Sequence, residues 1–390
     1  MSKRTTVYDI ANALDISTGT VHRALHDGTG ISPATKKKVL RMAKRLGYKP
    51  NLAARTLSQK RKPKISVNTL QGTTSFWDEV RTGVMEEARA QGIENIELEF
   101  RTFPNLGEGD DEAFLEATEN GVDGVITFPS RPKSLRRWIR RGARAKVPTV
   151  CVVTDAPESG RVAVVSIDTQ VSGSLAADLM GRFLGGKGRV AVTMSDAEIT
   201  EHAEKYVAFK STLERLYPEM MLESPIEDHD LEVEAYGKSI ALFKAHPDLA
   251  GVYVTTEASM PVIRAARELK MLGKLTIIAT DLFPELIDEI RAGTVAATIF
   301  QRPRAQGRMA FRLLHEFLIE GKCSSQQLTL SPHLITRGSL EHFLKGLPVA
   351  ADRDSKAANG RAVNEEAADP DDAQADYAHS AGAFGEKDRN

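Results

Sequence analysis

From Pro63 to about Glu320 the chain alternates short apolar runs with amphipathic stretches of roughly ten to fifteen residues. No other feature restricts the fold as much. The apolar runs predict strands over 65–70, 96–100, 123–128, 148–154, 189–195, 251–255, 275–281 and 295–300. Helical spacing of apolar residues predicts helices over 75–91, 111–120, 132–146, 201–216, 235–245, 259–270, 285–292 and 305–320. In the first of these, Phe76, Val80, Val84 and Ala88 recur at threes and fours. Strands separated by helices of that length build a parallel, doubly wound α/β sheet. The element count exceeds one sheet of ordinary size. Two doubly wound lobes follow.

The first sixty residues follow a different period. Val7, Ile10, Ala11 and Leu14 form one apolar helical face, and Asp15-Ile16 breaks it. Ser17 stands as an N-cap before a second short helix, Thr18 to Leu25, with Val21, Ala24 and Leu25 inward. Ser32-Pro33 is a cap followed by the residue pre-set for a first helical turn, and the helix it opens carries Val39, Met42, Ala43 and Leu46 and stops at Gly47. Two short helices joined by a tight turn and braced by a third make a helix-turn-helix head. The fold class is therefore multidomain: an all-α three-helix head, then two parallel α/β lobes.

Charge supports the division. Residues 1–62 hold fourteen Lys and Arg against Asp9, Asp15 and Asp27, a net of +11, within a chain whose overall net charge is −1. A basic head on an acidic body points to a polyanion as partner of the head alone. The N-terminal part of a recognition helix reaches base edges in the major groove. Here that part is Thr18, Gly19, Thr20, His22 and Arg23, of which Arg23 offers a bidentate fork to guanine. Plain phosphate binding is the alternative for His22 and Arg23. The expected partner is double-stranded DNA.

These residues resemble the LacI/GalR family of bacterial regulators. The resemblance is carried by Thr6-Val7-Tyr8-Asp9-Ile10-Ala11, by Ser17-x-x-Thr20-Val21-x-Arg23-Ala24-Leu25 and by Ser32-Pro33-x-Thr35. It continues through Leu46-Gly47-Tyr48-Lys49-Pro50-Asn51-x-Ala53-Ala54-Arg55-x-Leu57. His22 departs from it, standing where serine is common. The resemblance implies DNA contacts at Thr6, Ser17, Asn51, Ala54, Arg55 and Leu57 besides the recognition helix. It further implies a hinge helix that orders on DNA, pairs with its two-fold mate and wedges Leu57 into the minor groove. The body then resembles a type I periplasmic-binding-protein-like effector domain, looser in its motifs.

The domains expected are a head at 1–50, a hinge and basic linker at 51–62, and a two-lobed effector-binding and dimerisation domain at 63–345. The resemblance implies three crossings, expected near Ile167-Asp168, near Ala296-Ala297 and just after Cys323. That makes the first lobe about 63–167 plus 297–323 and the second about 168–296 plus 324–345. The tail, 350–390, has five basic and ten acidic residues and few large apolar ones. Such composition predicts an acidic disordered tail. The tail contains no leucine, so a zipper is not expected and a homodimer is.

Ligands of open α/β sheets bind beyond the carboxyl ends of the strands. Phe76 and Trp77 follow the first strand and offer flat rings to a sugar face; Asp155 and Asp281 end strands and accept two hydroxyls each; Gln301 both donates and accepts. These positions resemble sugar contacts of ribose-binding-type receptors. Lys205, in Lys205-x-x-Ala208-Phe209, stands where Arg-x-x-Gly-Phe is usual, and Thr256-Glu257 where Asn-Asp is common. The same side chains also have structural uses: Asp155, Asp168 and Asp281 as caps, Phe76 as core, Lys205 as a solvated helix residue. The expected effector is a small polar molecule, a sugar or sugar derivative, controlling a repressor.

The sequence contains no Gly-x-Gly-x-x-Gly turn, Walker A loop, Cys-x-x-Cys pair, His-Glu-x-x-His helix or Gly-x-Ser-x-Gly elbow. Gly185-Gly186-Lys187-Gly188 follows a helix and precedes a strand, the wrong polarity for a phosphate cradle. No enzyme activity, cofactor or metal is expected. Cys151 and Cys323 are too few for a disulfide framework, and Cys151, in an apolar run, is expected in the core. No apolar run is long enough to span a membrane, and a cytoplasmic location is expected.

Overall fold

The computed structural model describes residues 6–25, 30–46, 62–71, 74–91 and 96–346, the side chain of His22 excepted. The expected hinge contacts Asn51, Ala54, Arg55 and Leu57, and the tail from 350, lie outside these residues.

The head is built by its caps. α1 (Val7–Leu14) opens with a capping box: Asp9 N donates to Thr6 Oγ1, and Thr6 N donates to the Asp9 carboxylate at 2.6 Å. Asp15, with φ 50°, turns the chain. Ser17 Oγ accepts from Thr20 N at 3.1 Å and starts α2 (Thr18–Leu25). Ser32 does the same for α3 (Pro33–Arg45), accepting from Thr35 N at 3.1 Å. Ile10, Ala11, Val21, Ala24, Val39 and Ala43 close a small core.

The first lobe begins with β1 (Lys64–Leu70), α4 (Thr74–Ala90), β2 (Glu97–Phe103), α5 (Asp110–Glu119), β3 (Gly124–Thr127), α6 (Pro132–Arg144), β4 (Thr149–Val152) and β5 (Ala163–Ile167). The chain crosses at Ile167-Asp168, and Asp168 caps the next helix by accepting from Val171 N at 2.9 Å. The second lobe contains α7 (Thr169–Phe183), β6 (Gly188–Met194), α8 (Thr200–Leu216), β7 (Met220–Leu222), β8 (Ile226–Glu227), α9 (Glu232–Ala245) and β9 (Leu249–Val254). It continues with α10 (Ser259–Glu268), β10 (Thr276–Thr280), α11 (Pro284–Ala292) and β11 (Ala297–Phe300). Then α12 (Pro303–Glu320) and β12 (Gln327–Leu330) return to the first lobe, and β13 (His333–Thr336) and α13 (Arg337–Gly346) finish in the second.

The first sheet runs β12-β5-β4-β3-β1-β2, parallel throughout. The second runs β13-β11-β10-β9-β6-β7, with β8 also paired to β6. Its edge strand β13 is antiparallel to β11, a departure from the all-parallel expectation. Two expected crossings move. The chain does not leave the second lobe at Ala296-Ala297, because residues 297–299 pair with β10 and bury Ile299 and Phe300 there. It crosses afterwards, at Gln301-Arg302, where Arg302 takes φ 57° and Pro303 opens α12. Nor does it leave the first lobe after Cys323, because β12 pairs with β5 from Gln327↔Val164 to Leu330↔Ile167. That crossing lies at Ser331-Pro332.

Two close helix crossings hold the lobes in shape. A Cβ at Gly83 would lie 2.0 Å from Arg304 O, and one at Gly307 2.0 Å from Val80 O, so α4 and α12 meet backbone to backbone. In the second lobe a Cβ at Gly173 would lie 2.2 Å from Lys205 O, which fixes α8 against α7. Along the first seam Arg304 grips Glu79 at 2.6 and 2.8 Å, Arg308 pairs Glu86 at 3.0 Å, and Arg312 pairs Glu87 at 2.9 Å. Partly exposed pairs of this kind add at most about 1 kcal/mol each; the glycines set the distance. Cys151 is a core residue, its thiol pushed up to about 12 by burial.

Candidate ligand cleft and nucleic-acid face

A cleft opens between the lobes at the carboxyl ends of both sheets, where strand ends leave backbone and side chains free of ladder pairing. Its two walls differ in chemistry. The first lobe supplies Leu70 from the end of β1, Phe76 and Trp77 from the first turn of α4, Leu106, Phe128 after β3 and Val153 after β4. The second supplies Glu201 and His202 from the first turn of α8, Asp230, Thr255 to Glu257 after β9, Asp281 after β10 and Gln301 after β11. The space open to water is 60 Å³, room for about four or five molecules.

The apolar wall is a packed aromatic edge. Phe76 meets Trp77 edge-on at 5.0 Å between ring centres, and Trp77 lies 4.6 Å from Phe128. Both alternatives for Phe76 hold: it and Trp77 belong to the first-lobe core and also line the cleft.

The polar wall is one connected network. Lys205 is fully buried, not a solvated helix residue. Its ammonium donates to Glu201 Oε1 at 2.5 Å, to Gln301 Oε1 at 2.6 Å and to Thr255 O at 3.3 Å, which uses all three of its protons. Gln301 in turn donates through Nε2 to Asp281 Oδ2 at 2.5 Å and through its backbone N–H to Oδ1 at 2.9 Å. A lysine only donates and an ionised carboxylate only accepts, so this chain fixes the amide orientation of Gln301. Gln301 is held a third time by Gln306 Nε2, which donates to its carbonyl at 2.8 Å.

Burial shifts the protonation of this wall. Burial works against the Lys205 charge, but Glu201 beside it carries the ammonium above the ordinary lysine value. Burial raises Asp281 to about 6 despite the hydrogen bonds from Gln301. Burial and the neighbouring Asp228 raise Asp230 to about 7, and burial with the charge of Asp281 raises Glu257 to about 9. Burial lowers His202 to about 4. At neutral pH, then, His202 is neutral and Glu257 holds a proton.

The structure brings together Phe76, Trp77, Thr256, Asp281 and Gln301 on the cleft walls, with Lys205 directly behind them. Asp155 is not among them. Its carboxylate is held by Arg161, whose Nε and Nη2 both donate to it, the latter at 2.7 Å, and it faces a separate crevice beside Asp168 and Glu204. The strand-end rule failed there because Arg161, six residues on, claims both oxygens. Glu201, His202, Asp230 and Thr255 were not anticipated. Glu201 lies one turn before Lys205 on the same helix, a spacing the sequence does show. Among the described residues no group of three or more His, Cys, Asp or Glu is placed to hold a metal ion, and no helix is long and apolar enough to cross a membrane.

On the head, Gly19 and Arg23 are exposed on α2, Thr18 and Thr20 half-buried. Ser17 and Thr20 hydrogen-bond each other at 2.9 Å and Thr6 is committed to its capping box, so these hydroxyls position the helix as well as facing outward.

The comparisons match both parts. Residues 6–51 match the model of bacterial regulatory proteins of the lacI family, and residues 65–322 that of the periplasmic binding protein domain. Catabolite control protein A of Staphylococcus epidermidis is 24% identical over 346 residues, covering 86% of this chain and 99% of that protein. Its namesake in Priestia megaterium is 25% identical over 348 residues, covering 85% and 97%. Among solved structures, GanP, a glucose-galactose binding protein from Geobacillus stearothermophilus, superposes with a TM-score of 0.67 at 25% identity, covering 72% of this chain and 99% of that one.

Proposed function

We propose, starting from the fact that the chain belongs to the periplasmic binding protein domain family and carries a LacI-family head, that it is a transcription repressor switched by a sugar or sugar derivative. One observation carries the effector half of this reading: the network Glu201–Lys205–Gln301–Asp281, locked in orientation and facing an aromatic wall across a cleft with room for several waters. Fixed acceptors on one side and flat rings on the other suit a small ring bearing hydroxyls. The reading assigns no turnover, metal or cofactor to the cleft.

The head supplies the output. Arg23, exposed on α2, reads a base edge, while Thr6, Ser17, Thr18, Gly19, Thr20 and His22 fix the helix on the groove and the phosphates. By the LacI resemblance, Leu57 wedges into the minor groove, Arg55 lies close to the DNA backbone, and Asn51 and Ala54 contact DNA beside them. Two heads on a homodimer read a pseudo-palindrome in the cytoplasm. Ligand and DNA are coupled through the three crossings, at Ile167-Asp168, Gln301-Arg302 and Ser331-Pro332. Gln301 is both a cleft wall and the first residue of a crossing, so its grip on Asp281 transmits lobe movement directly. Such a hinge is a two-state element biased from a remote site.

The test is DNA selection followed by a gel shift. Full-length protein enriches palindromic duplexes from a random pool and binds them in a salt-dependent way. Arg23→Ala loses about 1–3 kcal/mol of discrimination at one base position per half-site. Equal, weak binding of every duplex by both proteins would remove the regulator reading and leave a receptor that does not use DNA.

A further inference from the structure

The charge of the cleft says more than its shape. Its lining holds four carboxylates, Glu201, Asp230, Asp281 and Glu257, and, among the described residues, no lysine or arginine. The one ammonium close by, Lys205, spends its three protons on Glu201, Gln301 and Thr255. It therefore answers Glu201 and, through Gln301, Asp281. Among the described residues no lysine or arginine bonds Asp230 or Glu257, and Lys205 reaches Asp230 only as a more distant charge. A second, independent observation marks the cleft as unfinished: His202 Nδ1 and Thr255 Oγ1, on side chains 8% and 0% exposed, have no hydrogen-bond partner, and neither does Asp230 Oδ1. Buried polar atoms of this kind are nearly always paired in a completed site. With His202 neutral and the hydroxyl able to turn, each orphan can accept from a donor on a ligand.

Resting on the reading of the cleft as the effector site, we infer that the effector is a cationic polyol, an amino sugar or a ring of similar size bearing a protonated amine, whose ammonium sits against Glu257 and Asp230. A neutral hexose would satisfy the orphaned acceptors but leave Glu257 and Asp230 facing each other without a cation between them. An anionic sugar, a uronate or a sugar phosphate, would meet an acidic wall whose nearby ammonium, Lys205, is already bonded, and is disfavoured by the same lining. Trp77 and Phe76 line the same cleft, and an aromatic ring near a cation stabilises it further.

Protons follow from the placement. The groups around Glu257 are Asp281, Asp230 and Glu285 from the second lobe and the Phe76 N–H at the start of α4 from the first; the carboxylates all favour its protonated form. An arriving ammonium reverses that balance, so Glu257 and Asp230 together give up about one proton to solvent as the cation enters. The exchange balances charge: one cation in, about one proton out.

The experiment is calorimetric titration of the full-length protein at pH 6.5, in two buffers of different ionisation enthalpy, with matched probes: glucosamine and glucose, galactosamine and galactose, mannosamine and mannose. The inference expects at least one amino sugar to bind tenfold or more tightly than its hexose and to release about one proton, where the hexose releases none. Glu257→Gln should remove that proton release and reduce the preference for the amino sugar at least fivefold, with the melting temperature of the free protein kept or raised. A hexose that binds as tightly as its amine, with no proton release, overturns the inference but leaves the effector cleft standing. Failure of all six probes overturns it as well, while the DNA selection above judges the regulator reading separately.

Discussion

Replacing Lys205 by methionine tests the polar wall most severely. The side chains of Lys205 and Glu201 are 1% and 6% exposed, and their charged atoms lie 2.5 Å apart. Lys205→Met keeps the volume but strands the Glu201 carboxylate, frees Gln301 Oε1 at 2.6 Å and removes the contact to the Thr255 carbonyl. Removing one partner of a buried pair costs about 3–5 kcal/mol, because the other charge stays buried without compensation. In a lobe of this size that lowers the melting temperature by roughly 6 to 20 °C. Thermal unfolding followed by circular dichroism at pH 8 measures it. The double variant Glu201→Leu with Lys205→Met recovers half of the loss or more, because an apolar pair of similar volume leaves no buried charge at these two positions. A single variant within about 1 kcal/mol of the parent at pH 8, on the scale of an exposed pair, would refute the argument. So would a double variant no more stable than the single.

Three further outcomes follow from the same coordinates. Gly173→Ala drives a Cβ to 2.2 Å from Lys205 O, so it shifts α8, costs about 1–3 kcal/mol and weakens cleft binding; calorimetry showing unchanged affinity would separate that seam from the site. Asp155→Asn loosens a partly exposed pair with Arg161, costs about 1 kcal/mol and leaves ligand affinity within twofold, and a tenfold loss would return Asp155 to the cleft. Glu257, raised from 4.5 to about 9, stabilises the folded ligand-free protein fully below about pH 4.5, and this contribution is lost as pH rises toward 9. One retained proton gives a slope of about 1.4 kcal/mol per pH unit, so the melting temperature falls between pH 6 and 8, and Glu257→Gln flattens the fall. A flat profile in the parent would show that Glu257 is ionised in the cleft.

The architecture was legible because hydrophobic period and helix length are local signals. Ser17, Ser32 and Pro33 announced their helices, and Val80 with Val84 announced α4. Strand 163–167 was missed although its residues are apolar; it follows a turn with no helix between it and β4, so the alternation that marked the other strands was absent. The two misplaced crossings share a cause. Pairing of β11 with β10 and of β12 with β5 is a matter of register between distant segments, which composition does not carry. Phe76, Trp77, Asp281 and Gln301 could be placed on the cleft walls in advance because strand ends facing a cleft obey a topological rule. Asp155 obeyed the same rule and was claimed by Arg161. The other cleft residues that went unanticipated, His202, Asp230 and Thr255, come from a helix start and loops, where only the folded chain shows what faces the cavity.

The central claim is that cleft and head are one switch, and reciprocal binding measures it directly. Fluorescence anisotropy of a selected palindromic duplex is titrated with the full-length protein, with and without the probe that calorimetry finds to bind. Asp281→Asn, which weakens the hold on Gln301, and Leu57→Ala are titrated alongside. The account predicts a change in DNA affinity on the order of a hundredfold in the parent, about 2.7 kcal/mol of coupling, in whichever direction the ligand drives it. It predicts a much smaller change in both variants, and an equal change in ligand affinity when DNA is added first. A probe that fills the cleft while leaving the parent's DNA affinity unaltered would contradict it.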